Sequence, residues 1–167
     1  GAGRRGAPAG PDVAPEWARV RRAGAGRGKW VRTGRENSKR CGFAAWRHVY
    51  PGNIRDIAQN PASLRGKILR LRDDGSVPGD NPFAGRAGYR PEIFTLGHRN
   101  TLALIVHPET GVMWNNENGP NGGDEINIIR PGANYGWPLV SFGRDYPGPR
   151  VSEHPTREGM ESPLVAW

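Results

Sequence analysis

The chain has 167 residues, room for one ordinary domain with a sizeable core. Its 25 glycines and 16 prolines approach low-complexity composition, and its single Cys41 excludes an internal disulfide framework or a multi-cysteine metal site. The net charge is +8, no apolar run is long enough to span a bilayer, and no signal peptide is visible.

The charge is uneven. Residues 1–50 hold 12 Lys and Arg against 3 Asp and Glu, a net +9, whereas the remainder is net −1. A partner for the whole protein therefore does not follow from the average charge. Gly1 to Gly10 is low-complexity, and Arg19 to Arg40 is rich in Arg, Gly and Lys with neither a helical nor a strand period. Such a stretch suits a basic arm for nucleic acid or an anionic surface. No aromatic-plus-basic pattern of an RNA-binding module accompanies it, which favours a disordered or non-native segment. The Arg, Gly, Ala and Trp content is what GC-rich DNA gives when read out of frame. Both ends, Gly1 and the apolar Pro163–Trp167, read as cuts in a longer protein. Two regions follow: residues 1–52, basic and disordered or frameshifted, and residues 53–167.

From Asn53 the pattern changes. Gly66 to Leu71 alternates apolar with basic residues, as a half-buried strand does. Asp73-Asp74-Gly75-Ser76 is a turn, and Tyr89 to Leu96 a second strand ended by Gly97. Leu102 to Val106 reads as a buried apolar strand, His107 to Gly111 as a tight turn, and Val112-Met113-Trp114 as the start of the return strand. Glu125 to Ile129 is a further strand, followed by the turn Pro131 to Asn134. No amphipathic helix of useful length is present. Short strands separated by turn residues indicate a sandwich, barrel or propeller, and periodicity does not choose among them.

Two loops carry chemistry. Gly97-His98-Arg99-Asn100 follows a strand, and its Arg-Asn pair suits planar anionic ligands: guanidinium binds carboxylates bidentately, and the amide both donates and accepts. Glu117 to Glu125 combines backbone carbonyls at Gly119 and Pro120 with nearby carboxylates, an oxygen-rich arrangement that hard cations such as calcium prefer. Taken alone, the first is also an ordinary loop end and the second a solvated acidic hairpin.

Together with their surroundings the loops resemble one family. The series runs through Gly66-Lys67-Ile68-Leu69-Arg70-Leu71, Asp74-Gly75-Ser76-Val77-Pro78, Asp80-Asn81-Pro82-Phe83 and Gly97-His98-Arg99-Asn100. It continues through His107-Pro108, Gly119-Pro120-Asn121-Gly122-Gly123-Asp124-Glu125 and Asn134-Tyr135-Gly136-Trp137-Pro138. In order and spacing it is similar to the soluble aldose dehydrogenases of the glucose/sorbosone dehydrogenase family, which use pyrroloquinoline quinone (PQQ). The resemblance covers about Arg55 to Trp167.

That resemblance implies a six-bladed β-propeller, of which this chain holds about two blades, with PQQ and calcium at the centre of one face. It implies oxidation of the anomeric carbon of aldose sugars to lactones, an external electron acceptor, and a periplasmic or secreted location. Arg99 and Asn100 would hydrogen-bond PQQ, Gly119 and Pro120 would offer main-chain oxygens to calcium, and Asp124 and Glu125 would belong to the surrounding polar shell. The family's catalytic His lies in a His-x-Gly-Gly/Ser-Arg segment that is not found here. His48 has the wrong neighbours, His98 belongs to the cofactor loop, His107 precedes Pro108 in a turn, and His154 sits in a polar loop. Thr101-Leu102-Ala103 and Asn118 also depart from the usual pattern. The expectation is an incomplete, inactive piece of a dehydrogenase; the alternatives are a non-enzymatic propeller relative that binds carbohydrate or protein, and a nucleic-acid-binding protein resting on residues 1–50 alone.

Overall fold

The structure, a computed structural model, describes residues 55–167 together with the backbone of three strands further upstream. It is all-β: apart from one 3-10 turn at Arg55–Ala58, the described residues form antiparallel strands and turns. The first sheet is a meander of β1 (Arg21–Ala23), β2 (Gly28–Thr33), β3 (Cys41–Trp46), β4 (Lys67–Arg72) and β5 (Ile93–Leu96), in that order. The second runs β6 (Thr101–Val106), β7 (Met113–Glu117), β8 (Glu125–Ile128) and β9 (Val165–Ala166). One antiparallel meander of about four strands is the blade of a propeller, and the two sheets here match the expected two blades. Strands β1 to β3 fall within residues 1–52, where no strand period is legible; β3 nevertheless pairs with β4 from Cys41↔Arg72 to Ala45↔Ile68. The remainder of that segment, with the expectation of disorder or a frameshift that it carries, lies outside the described residues.

Strand β4 corrects a detail of the alternating pattern. Ile68 and Leu69 are adjacent, so their side chains point to opposite faces, yet both are buried. Each face has its own core. Ile68 packs with Phe94, Leu104, Met113, Ile129 and Tyr135, which joins the two sheets. Leu69 packs with Phe83, Ile93 and Leu96 under the loop that follows β4. Asn81 holds that loop down, donating from Nδ2 to the carbonyls of Arg70 (3.0 Å) and Pro91 (2.9 Å).

Lys67 follows the same rule. It was expected on the solvated face, but its side chain is 0% exposed. Its ammonium donates to the carbonyls of Ile57 (3.0 Å), Ala58 (2.8 Å) and Arg65 (2.9 Å), and so pins the 3-10 turn against β4. Burial lowers its amine to about 8. Strand β6 departs the other way. It was expected to be wholly buried, but Leu104 is buried while Ile105 is 51% exposed, so it has one covered face. Strand β9 lies in the apolar stretch at the end of the chain and was not expected as a strand; it pairs Glu125↔Ala166 and Ile126↔Val165.

Candidate functional site

The two chemistry-bearing loops meet. Gly97 ends β5 with φ +81°, and a Cβ there would lie 2.2 Å from Asn134 Oδ1 and 2.6 Å from Gly136 N, so only glycine fits. The chain turns there because Gly97 N binds Ala58 O (3.1 Å) and Trp137 N binds Gly97 O (2.9 Å). Across the second sheet Asn118 N donates to Asn100 O at 3.1 Å, which locks the Arg99-Asn100 segment to the loop after β7. Arg99 then reaches over that loop: its Nη1 donates to Asn118 O at 2.8 Å and to Gly119 O at 2.6 Å. The guanidinium lies 5.3 Å from the centre of the Trp137 ring, and Arg55 lies 5.7 Å from the same ring.

The loop itself is tightly packed. Gly119 N donates to Asp124 Oδ1 (2.9 Å), and a Cβ on Gly119 would meet Gly122 O at 2.1 Å and Gly123 O at 2.4 Å. Gly123 N and Asp124 N both donate to Trp167 O, and Trp167 N returns a bond to Asp124 O. Pro120 is buried and Gly119 half-buried. The four residues singled out for cofactor and metal, Arg99, Asn100, Gly119 and Pro120, are thus brought to one place. Asp124 lies against it, accepting from Gly119 N.

A cavity of about 10 Å³, the size of one water, opens between Arg99, Glu117, Asn118, Gly119, Glu125 and Trp137. Burial, and then the neighbouring Glu117 carboxylate, pushes the Glu125 carboxyl up to about 8. A wider hollow of about 470 Å³ between His107, Trp114, Ile128 and Pro131 is apolar and holds none of these residues. Among the described residues, no group of three or more His, Cys, Asp or Glu is placed to hold a metal. No helix among them is long and apolar enough to cross a membrane.

The histidines differ in role. His98, expected only as part of the cofactor loop, points into the core: 1% exposed, it stacks on Tyr135 at 4.6 Å between ring centres. Its Nε2 lies 2.8 Å from Thr95 Oγ1, and its Nδ1 lies 3.2 Å from Asn115 Nδ2 and 3.3 Å from Glu117 Oε2. It therefore braces β7 just before the Asn118-Gly119 carbonyls. His107 accepts the backbone N–H groups of Glu109 and Thr110, and so shapes its turn. His154 is exposed, and His48 lies outside the described residues.

Gln59 is a participant the sequence reading missed. Its amide exchanges hydrogen bonds with Asn134, Nε2 to Oδ1 at 3.1 Å and back at 2.7 Å, and donates to Trp137 O at 2.6 Å. An isolated Gln in a loop carries no signal of this. Trp137 lay in the motif series, but its place beside Arg99 appears only in three dimensions.

This arrangement, antiparallel blades whose loops converge on an Arg-Asn pair and a carbonyl-rich turn, is that of part of a β-propeller. The family model for glucose/sorbosone dehydrogenase matches residues 47–167, and the chain belongs to that family. Aldose sugar dehydrogenase YliI of Escherichia coli (strain K12) is 44% identical over 117 residues, 69% of this chain and 32% of the relative. Quinoprotein glucose dehydrogenase B of Acinetobacter calcoaceticus is 49% identical over 83 residues, 50% of this chain and 17% of the relative. The crystal structure of the soluble aldose sugar dehydrogenase from Escherichia coli in the apo form superposes with a TM-score of 0.70 at 40% identity, covering 76% of this chain and 36% of that one. The chain spans about a third or less of the curated relatives it matches.

Proposed function

We propose that the chain forms the part of an aldose-oxidising dehydrogenase that holds PQQ and calcium. The observation that supports this is the Arg99–Gly119 contact: it places a guanidinium and a cation-accepting carbonyl at one point. The donor chemistry fits both groups. PQQ carries three carboxylates, which suit Arg99 and the Asn100 amide. Calcium prefers oxygen donors, and the Gly119 carbonyl already accepts from a cation, with Pro120 next in line. When bound, PQQ would supply an ortho-quinone able to take hydride from the anomeric carbon of an aldose while a base takes the proton of the anomeric hydroxyl, giving the lactone.

In this reading the chain's residues position and polarise. Arg99 holds a negative oxygen with a charge-assisted bond in a partly dry site, where such a bond is strong. Asn100 fixes orientation, and Asn118 N–H to Asn100 O keeps the two loops in step. Among the described residues no histidine stands beside Arg99 as a general base: His98 is committed to the core, His107 to its turn, and His154 is exposed. The electron acceptor is external to the chain, and the location periplasmic or secreted. The second reading, a relative that binds carbohydrate or protein without catalysis, draws on those same histidine positions.

The test is PQQ binding to this chain, followed by absorbance with and without calcium. Weak, saturable, calcium-dependent binding that Asn100→Ala diminishes is expected. Binding indifferent both to calcium and to Asn100 would discard the cofactor reading in favour of the second.

A further inference from the structure

The register of the second sheet sorts its residues onto two faces. Leu104, Met113, Asn115, Glu117 and Asn127 share one, and all are buried there. Leu104 and Met113 meet Ile68 and Phe94 of the first sheet, which covers that side. The other face carries Ile105, Trp114 and Ile128 in one cross-strand row, and Ile126 and Val165 in the next.

That second face is not built for water. A solvated sheet face points its polar residues outward. Here Asn115, Glu117 and Asn127 lie inside and the isoleucines outside. Ile105 is 51% and Val165 48% exposed, while Trp114, Ile126 and Ile128 are half-buried. Neither charged residue of β6 to β9, Glu117 or Glu125, falls on it, since the two pair with each other on the covered side. The apolar hollow of about 470 Å³ opens at the same face, beside Trp114 and Ile128.

The size of the face decides what can cover it. Three strands, each about 4.8 Å wide and four or five residues long at about 3.4 Å per residue, make a footprint of roughly 200 Å². Two separate proteins need about 800 Å² from each partner for a stable contact. A second copy of the chain is therefore held too weakly. A tethered partner is not, because a linker keeps it at millimolar effective concentration. The match takes up 32% of the Escherichia coli relative and 17% of the Acinetobacter one, so both carry polypeptide enough for such a partner.

We propose that the face of Ile105, Trp114 and Ile128 seats a further antiparallel sheet of the same polypeptide, with an apolar side chain filling the hollow beside Trp114. The sheet β6 to β9 is then an inner layer, with a neighbour about 10 Å away on either side. The inference rests on the packing and does not depend on the cofactor.

The test compares the chain with a longer form of it. In the longer form Trp167 is joined to the stretch that follows the superposed region in the Escherichia coli aldose sugar dehydrogenase. Ile105→Thr is made in both, because threonine keeps the branched β-carbon that strands favour and loses apolar contact. In the chain alone the substitution is expected to leave the urea midpoint unchanged, since Ile105 already faces water. In the longer form it should lower the midpoint clearly. Equal shifts in the two, or none in either, would overturn the proposal.

A second measurement needs no variant. Hydroxyl-radical oxidation of Trp114, read by mass spectrometry, should be severalfold slower in the longer form than in the chain alone. An unchanged rate would overturn the assignment of this face. Protection of Trp114 in the chain alone that grows with its concentration would give the face to a second copy, and would overturn it equally.

Discussion

Replacing Lys67 by Met tests how a fully buried ammonium is tolerated beneath the site. Burial lowers the amine from 10.5 to about 8. Below pH 8 it is protonated in both the folded and unfolded chains, and the cost of burying the charge is fully present. Between pH 8 and 10.5 the folded chain has released a proton that the unfolded chain still holds, so stability rises with pH across that window. A shift of about 2.5 units corresponds to about 3 kcal/mol. Met removes this dependence while filling much of the same volume. It also withdraws a donor from three carbonyls, but Ile57 O retains Asn60 N–H and Ala58 O retains Gly97 N–H, which leaves Arg65 O as the carbonyl that loses its donor. That costs about 1–3 kcal/mol. The two proteins should therefore be nearly equal in stability at pH 7, and the original chain should lead by about 3 kcal/mol at pH 10.5. Urea unfolding at intervals across that range measures the difference. Parallel curves would show that the three carbonyls hold the proton against desolvation, and that the reasoning from burial is wrong.

Gly97→Ala should cost more than about 2 kcal/mol, since it combines a left-handed φ with a Cβ inside Asn134 and Gly136, whereas Gly88→Ala, with a similar φ and open space, should cost about 1; urea midpoints compare them, and equal costs would contradict the steric account. Because the Glu125 carboxyl is raised to about 8, its contribution to stability is fully present below its ordinary 4.5 and is lost as pH rises through 8; Glu125→Gln should flatten the stability profile in that window. Calcium binding at the proposed site should expel a proton from the same carboxyl at pH 7, and calorimetry in buffers of different ionisation enthalpy would expose a failure as identical heats. The chain alone, with added PQQ and calcium, should show no dye-linked glucose oxidation; measurable turnover would refute the reading of an incomplete site.

The strands between Lys67 and Ile128 and the two site loops were legible because they rest on local rules: apolar residues spaced for strands, and Gly, Pro, Asn and Asp where the chain must turn. What stayed hidden depends on contacts distant in sequence. Nothing local shows that Lys67 faces three carbonyls rather than solvent, and nothing in Gly97-His98-Arg99-Asn100 separates His98, which enters the core, from Arg99, which reaches Gly119. Strands β1 to β3 were missed because an Arg- and Gly-rich stretch lacks the alternation by which strands are recognised, although its backbone can pair like any other.

The reciprocal amide pair of Gln59 and Asn134 joins side chains 75 residues apart. Closing so long a loop carries a chain-entropy cost on the order of 4 kcal/mol, incurred before the contact gives anything back. Folding should then proceed sheet by sheet, each hairpin forming early and this clasp closing late. Trp137, held by Gln59 through its carbonyl, would take its place beside Arg99 only at that final stage. Ligands would thus meet a pocket assembled last and opened first, and its amide protons should be among the earliest to exchange when the native chain breathes.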